Sequence, residues 1–131
     1  RLRELAAQRV SFAFETTLAS RSFAPWLRDL GTSGYSIHML FLWLPSAEFA
    51  VDRVAERVRA GGHNVPSEVV RRRYRAGLRN FFNLYQPLAT AWVLYDNSGP
   101  EPRRAAERLE SRPLKVYDEV VWAAAKEQGT A

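Results

Sequence analysis

The chain of 131 residues has the length of one ordinary domain, and 47% hydrophobic residues are sufficient for a core. The absence of cysteine excludes disulfides, thiolate metal sites and cysteine nucleophiles. The longest apolar stretch, residues 37–44, is shorter than the ~20 residues needed to cross a bilayer. We therefore expect a single cytoplasmic domain, residues 1–131, without a membrane partner.

The net charge of +5 is concentrated in one part of the chain. Residues 52–79 contain eight arginines and three acidic residues, so this segment carries the whole excess. Guanidinium groups present a fixed fork of donors that matches phosphate oxygens. The run therefore indicates phosphate binding, although a solvated helix face is the alternative interpretation.

Three short apolar runs, residues 12–16, 35–44 and 91–96, predict buried strands. The middle run is apolar on both faces, which is typical of a parallel strand covered by helices on both sides. Between the first two runs, residues 20–30 have the length of a crossover helix, and Gly31 and Gly34 favour its end. Together these elements predict a β-α-β unit.

A helical hairpin is predicted at about residues 46–86, between the second and third strands. Ser46 predicts a helix cap, and apolar residues then recur at helical spacing to about residue 60. Gly61 and Gly62 break the pattern, and Ser67 predicts the cap of a second helix that runs to Pro87. Arginines on both helices are expected to converge near the glycine turn.

The remaining chain predicts a weak helix at 103–110 and a better one at 113–126, with Val116, Val120, Val121 and Ala124 inward. Core positions are expected at Trp43, Phe81, Phe82 and Trp92, with His38 as a hydrogen-bonded core histidine. Asp118 and Glu119 are assigned to solvent, and His63 is a polar turn residue. The two histidines have no cysteine or suitable spacing to form a zinc site, so no metal ligand is predicted.

Four ordered blocks of sequence carry a family resemblance: FAFETTLAS, FLWLPS, RVRAGGHNVP with RRRYRAGLRNFFNLY, and YDNSG. In this order they resemble the zeta-toxin-like P-loop kinases, a bacterial group that includes toxins phosphorylating UDP-N-acetylglucosamine. The similarity covers roughly residues 1–100. It implies an α/β fold: part of a doubly wound P-loop kinase sheet, with three mostly parallel strands, flanking helices and the hairpin as a mobile lid.

The resemblance implies that the complete protein binds ATP and Mg²⁺ and phosphorylates a small molecule such as a sugar nucleotide. Arginines of the lid would stabilise the transferring phosphoryl group, and polar residues at strand ends would contact the acceptor and the base. The implied residues are Arg57, Arg72 and Arg73 for catalysis, Glu15, Thr16 and Thr17 for substrate binding, and Asp96 and Asn97 for nucleotide binding. A toxin of this type implies an antitoxin partner.

The chain departs from the family in lacking the GxxxxGK[ST] phosphate-binding loop, because none of its seven glycines precedes a Lys-Ser or Lys-Thr pair. The chain alone is therefore expected to be inactive. In the family, the strand of that loop lies between the strands matching residues 12–16 and 35–44. Without this strand, a gap is expected between those two strands of the sheet. Either the two strands pair directly, or one of them keeps an open edge, or a strand from a missing N-terminal segment or a partner chain fills the gap.

Two other functions remain open beside the kinase. A degenerate relative would keep the fold and bind nucleotides or anions without catalysis. Nonspecific nucleic-acid binding would use Arg53 to Arg79, with Tyr74 and Phe81 available for stacking, and is the least favoured of the three.

Overall fold

A mixed four-stranded sheet organises residues 2–130, the part of the chain that the computed structural model describes. Its spatial order is β1 (His38–Trp43), β2 (Ala91–Asp96), β3 (Arg103–Arg108) and β4 (Lys115–Val116). β1 and β2 are parallel, whereas β3 is antiparallel to both β2 and β4. The protein is therefore α/β, but its strands are not the three mostly parallel ones expected.

The helices are α1 (Leu2–Ala7), α2 (Ala24–Thr32), α3 (Ala47–Arg59), α4 (Ser67–Asn80) and α5 (Glu119–Thr130). After α4 the chain continues through a π-helical turn (Phe81–Tyr85) and a 3-10 turn (Gln86–Leu88). The predicted helix at 20–30 is thus confirmed as α2, and the predicted hairpin as α3 and α4. None of the helices within residues 2–130 combines the length and apolarity needed to span a bilayer.

The prediction of a first strand at residues 12–16 is wrong, because this segment has no β-structure. Phe12 and Phe14 are partly buried, and each ring lies 5.9 Å from the ring of Trp26 in α2. Ala13 and Glu15 are exposed. The alternation therefore belongs to an extended segment anchored on a helix, and no β-α-β unit forms here because none of the described strands pairs with this segment.

β1 forms an open edge of the sheet. The carbonyl oxygens of Ile37 and Trp43 accept hydrogen bonds from the chain of β2, so by alternation His38, Leu40 and Leu42 direct their backbone groups away from β2. No strand in residues 2–130 pairs with that side. Leu40 and Leu42 are 69% and 53% exposed, so the prediction of a strand covered on both faces is wrong.

His38 is also on the exposed side of β1, and its Nε2 lies 3.5 Å from Glu110 Oε1. The interpretation of His38 as a core histidine is therefore wrong. Because side chains alternate between the faces of a strand, His38 shares its face with Leu40 and Leu42 and not with buried Trp43.

The core lies between the opposite face of the sheet and the helices α4 and α5. Trp43, Phe81 and Trp92 are buried there, and Phe82 packs against them, as predicted. Trp92 stacks on Trp122 of α5 with ring centroids 5.5 Å apart. Stacked aromatic rings bury large apolar areas, so this contact fixes α5 on the sheet.

The helix predicted at residues 103–110 is wrong, because residues 103–108 of this segment form β3. The composition favours a helix, yet pairing with β2 overrides this propensity. Ala105 and Ala106 are both fully buried, next to an irregularity in the β2–β3 register at Leu94 and Tyr95. Small side chains at these positions leave room for the aromatic residues of the core.

The last helix begins at Glu119 and not near residue 113. Asp118 Oδ1 accepts a hydrogen bond from the backbone N–H of Val121 (3.1 Å), which is the geometry of a helix cap. Asp118, which was assigned to solvent from the sequence, is therefore the cap of this helix. Val121 is buried as predicted, whereas Val120 is 80% exposed and Val116 lies in β4, so these two were wrongly assigned to the inner face of the helix.

The two predicted caps of the hairpin differ, and this difference gives a stability prediction. Ser46 Oγ accepts a hydrogen bond from Phe49 N–H (3.0 Å), whereas α4 is preceded by Pro66 and has no side-chain cap. Ser46→Ala is expected to lower the free energy of unfolding by about 1 kcal/mol in urea denaturation.

The matched control is Ser67→Ala: within residues 2–130 the hydroxyl of Ser67 has one hydrogen-bond contact, with the partly buried side chain of Arg71 (3.3 Å). It should change the free energy of unfolding by less than about 0.5 kcal/mol. Equal losses in the two variants would contradict the assignment of the cap to Ser46 alone.

Candidate anion-binding site

A cleft of about 590 Å³ lies between α4 and the segment that precedes α2. Its walls bring together residues that are more than fifty positions apart in the sequence: Thr17, Ala19, Ser20, Arg72 and Arg73. Three residues predicted from the sequence, Thr17, Arg72 and Arg73, thus meet in one cavity. Ser20 adds a second hydroxyl that sequence reasoning did not select.

The guanidinium groups of Arg72 and Arg73 have no hydrogen-bond or ion-pair partner within residues 2–130, and both residues are exposed. Arg71 differs, because it binds both carboxylate oxygens of Glu48 in α3, at 2.7 and 3.2 Å. The hydrogen bond from Arg71 lowers the pKa of the Glu48 carboxyl group. Arg71 therefore joins the two helices of the hairpin, whereas the donors of Arg72 and Arg73 remain available to a ligand.

The opposite wall is formed by Thr17, Ala19 and Ser20, which belong to residues 16–20, a segment that we name the strap. Thr16 Oγ1 accepts a hydrogen bond from Leu18 N–H (3.2 Å), and Thr17 Oγ1 accepts one from Ala19 N–H (3.3 Å). Leu18 has a φ of 58°, in the left-handed region that bulky residues rarely adopt. The strap is therefore a tight turn with a strained residue at its centre.

The strap is attached to α4 and the π-helical turn through its backbone. Asn80 Nδ2 donates hydrogen bonds to the carbonyl oxygens of Leu18 (2.7 Å) and Ala19 (3.1 Å). The hydroxyl of Tyr85 donates to the carbonyl oxygen of Ser20, and burial raises the pKa of Tyr85, which keeps this donor protonated. Sequence reasoning missed both residues, although a buried polar residue within an apolar helical stripe is a detectable signal.

Gly77 permits the closest approach between the strap and α4. A Cβ atom at this position would clash with the carbonyl oxygen of Thr17, because the two would be closer than van der Waals contact allows. The requirement for glycine here comes from the approach of another backbone. A glycine inside a helical pattern is a sequence signal for such a contact, but Gly77 was not identified from the sequence.

Other predicted site residues lie outside the cleft. Glu15 and Thr16 precede Thr17 in the chain and are exposed, but they do not line the cavity. Arg57 lies roughly 14 Å along the axis of α3 from Glu48, the residue that contacts Arg71. Of the arginines on the two helices, only Arg72 and Arg73 of α4 line the cleft, so the structure does not bring Arg57 into it.

Asp96 and Asn97 have local contacts at the end of β2. Asp96 Oδ1 accepts a hydrogen bond from Ser98 N–H (3.0 Å), and Asp96 Oδ2 lies 3.6 Å from Arg103. The backbone of Asn97 donates to Trp43 O (2.8 Å) and accepts from Arg53 Nη2 (2.9 Å). These contacts close the turn after β2 and do not bring either residue to the cleft.

The cleft can bind an anion and stabilise negative charge. Two arginines and two hydroxyl-bearing residues line it, and no acidic residue or histidine is among its lining residues. The lining therefore includes no group of the kind that usually serves as a general base. No group of three or more acidic residues or histidines within residues 2–130 is arranged to hold a metal ion.

Comparisons with known proteins give one distant relative. Over 67 residues the chain is 27% identical to an uncharacterized protein of Haemophilus influenzae, which corresponds to 51% of this chain and 48% of that protein. The chain thus spans about half the length of the curated relative that it matches. No family model and no solved structure matches the chain.

Proposed function

We propose that this chain is the lid-bearing part of an ATP-dependent small-molecule kinase of the zeta-toxin type, and that Arg72 and Arg73 bind phosphate groups during the reaction. The observation that carries this proposal is the cleft, whose lining combines Arg72 and Arg73, both with unpaired guanidinium groups, with Thr17 and Ser20. The substrate would be a sugar nucleotide such as UDP-N-acetylglucosamine, with ATP and Mg²⁺ as cofactors. Such an enzyme would act in the cytoplasm, where an antitoxin could restrain it.

Phosphoryl transfer suits this set of residues. The reaction passes through a state with charge spread over the phosphoryl oxygens, and catalysis consists mainly of positioning and electrostatic stabilisation. The arginines would supply the stabilisation, while Thr17 and Ser20 would form hydrogen bonds with the acceptor. The general base and the Mg²⁺ ligands would come from the phosphate-binding portion, which residues 1–131 lack.

The open edge of β1 supports the addition of that portion. An exposed edge strand with apolar side chains is normally covered, because its unpaired N–H and C=O groups can pair with another strand. Leu40 and Leu42 provide such an edge beside the parallel β1–β2 pair. We propose that a strand from a preceding segment or from a partner chain, leading to the phosphate-binding loop, pairs here.

A second candidate is anion binding without catalysis. It is favoured by the lining of the cleft, which offers binding groups but no general base within the described chain. The two functions share the first step, which is the binding of a phosphorylated ligand by Arg72 and Arg73.

This first step can be tested with residues 1–131 and inorganic pyrophosphate in isothermal titration calorimetry. The double variant Arg72→Ala/Arg73→Ala is expected to bind roughly 10-fold or more weakly, because charge-assisted hydrogen bonds contribute more than neutral ones. The control is Arg79→Ala, an exposed arginine of α4 outside the cleft.

An equal loss in the Arg79→Ala variant would show that only general positive charge matters, and no binding by the unsubstituted protein would refute the proposal. A parallel titration with duplex DNA tests the nucleic-acid alternative. That alternative would be favoured if the affinity for DNA falls steeply with salt and if each arginine substitution weakens DNA binding to the same extent.

A further inference from the structure

We propose that Asn80 and Tyr85 are positioning residues that hold the strap against α4 and thereby give the anion-binding cleft its shape. This inference rests on the proposed function only in naming the ligand as a phosphorylated anion. The attachment of the strap is a separate property and can be measured without a ligand.

The strap follows the surface of α4 in register with the helical turns. Tyr85 binds the carbonyl group of Ser20, Asn80 binds those of Leu18 and Ala19, and Gly77 lies against that of Thr17. Contacts therefore proceed in order along both segments, in the same chain direction. Each of the last four strap carbonyl groups faces the helix.

Arg73, Gly77 and Asn80 are spaced i, i+4 and i+7, so they lie on one face of α4. Arg73 is one turn, roughly 6 Å of helix rise, from the point where Thr17 meets Gly77. The attachment of the strap at Asn80 thus determines how far the hydroxyl groups lie from the guanidinium groups. A shift of the strap by one residue would separate the two walls of the cleft.

The strap needs these attachments because its own conformation is unfavourable. A left-handed φ at Leu18 costs free energy and persists only where surrounding contacts impose it. Asn80 is only 5% exposed, and its amide nitrogen is committed to the two carbonyl groups. Burial of an amide in an apolar stripe is costly without such partners. The hydrogen bonds to the strap therefore account for the presence of an asparagine at this buried position.

The experiment compares two asparagines of the same helical segment. Asn80→Ala removes both bonds to the strap, whereas Asn83→Ala removes a single bond to the carbonyl oxygen of Gly129 in α5 (3.2 Å). Pyrophosphate affinity is measured by calorimetry, and the order of residues 17–20 by ¹⁵N relaxation. Asn80→Ala is expected to weaken binding by ~10-fold or more and to increase motion of the strap.

Asn83→Ala should leave both the affinity and the order of the strap unchanged. A second pair tests the same inference with smaller disturbance of the core. Tyr85→Phe keeps the buried ring and should weaken binding by ~5-fold through loss of one hydrogen bond. Tyr74→Phe removes a hydroxyl that contacts the carbonyl oxygen of Leu44 (2.8 Å) and Gln128 Oε1 (3.2 Å), and it should have no effect on binding.

Unchanged order of the strap in folded Asn80→Ala and in Tyr85→Phe overturns the inference. Equal loss of affinity in Asn80→Ala and Asn83→Ala also overturns it, because that result would reflect general destabilisation. If the unsubstituted protein does not bind pyrophosphate, the proposed function fails, yet the relaxation data still decide whether Asn80 and Tyr85 hold the strap.

Discussion

In the complete protein, Arg72→Ala is expected to lower the turnover number for phosphoryl transfer from ATP by on the order of 10³-fold. Arg72 lines the cleft, and its guanidinium group has no partner within residues 2–130, so its donors are free to meet charge that develops on the phosphoryl group. The measurement is steady-state transfer of the γ-phosphate in the presence of Mg²⁺, with the phosphate-binding portion attached to or mixed with this chain.

Arg79→Ala is the matched control for this measurement, because it removes the same charge from the same helix outside the cleft. It should leave turnover within about threefold of the unsubstituted protein, since exposed charges in water interact weakly over such distances. Normal turnover in the Arg72→Ala variant would contradict a catalytic role for the cleft. Absence of turnover in the unsubstituted complete protein would favour anion binding without catalysis.

Leu94→Ala is expected to lower the free energy of unfolding by about 3 kcal/mol. Leu94 is 0% exposed at the centre of β2 and belongs to the core cluster formed with α4 and α5. Loss of its side chain leaves a cavity that the surrounding aromatic rings cannot fill without leaving their stacked arrangement. Urea denaturation followed by circular dichroism measures the change.

Leu40→Ala provides the control on the neighbouring strand. Leu40 lies in the edge strand β1 and points to the uncovered face, so its replacement should change the free energy of unfolding by less than about 0.5 kcal/mol. Similar losses at both leucines would show that another layer covers the outer face in solution. Such a result would contradict the one-sided sheet described above.

Local sequence signals predicted part of this structure. Helical spacing and Ser46 located α3 and α4, and the apolar runs at 35–44 and 91–96 located the two parallel strands. The signals were sufficient there because each helix buries one stripe, and each strand of the pair is an apolar run of strand length that is too short for a helix. The buried residues Trp43, Phe81 and Trp92 were recognised for the same reason.

Other elements depended on partners that are distant in the sequence. Residues 12–16 alternate like a strand but pack on α2, and residues 103–108 resemble a helix but pair with β2. Short segments of this kind have comparable local preferences for two structures, and their environment decides between them.

By itself, the sequence determined the hairpin, the concentration of arginines within it and the absence of a phosphate-binding loop, because periodicity, charge and motifs are local properties. Only the tertiary structure decided which arginines line the cleft and which residues hold the strap. Arg71 and Arg72 are adjacent in the chain, yet Arg71 binds Glu48 whereas Arg72 lines the cleft together with Thr17. The physical reason is that successive residues on a helix point in different directions, so the packing of its neighbours determines which side chain is left free for a ligand.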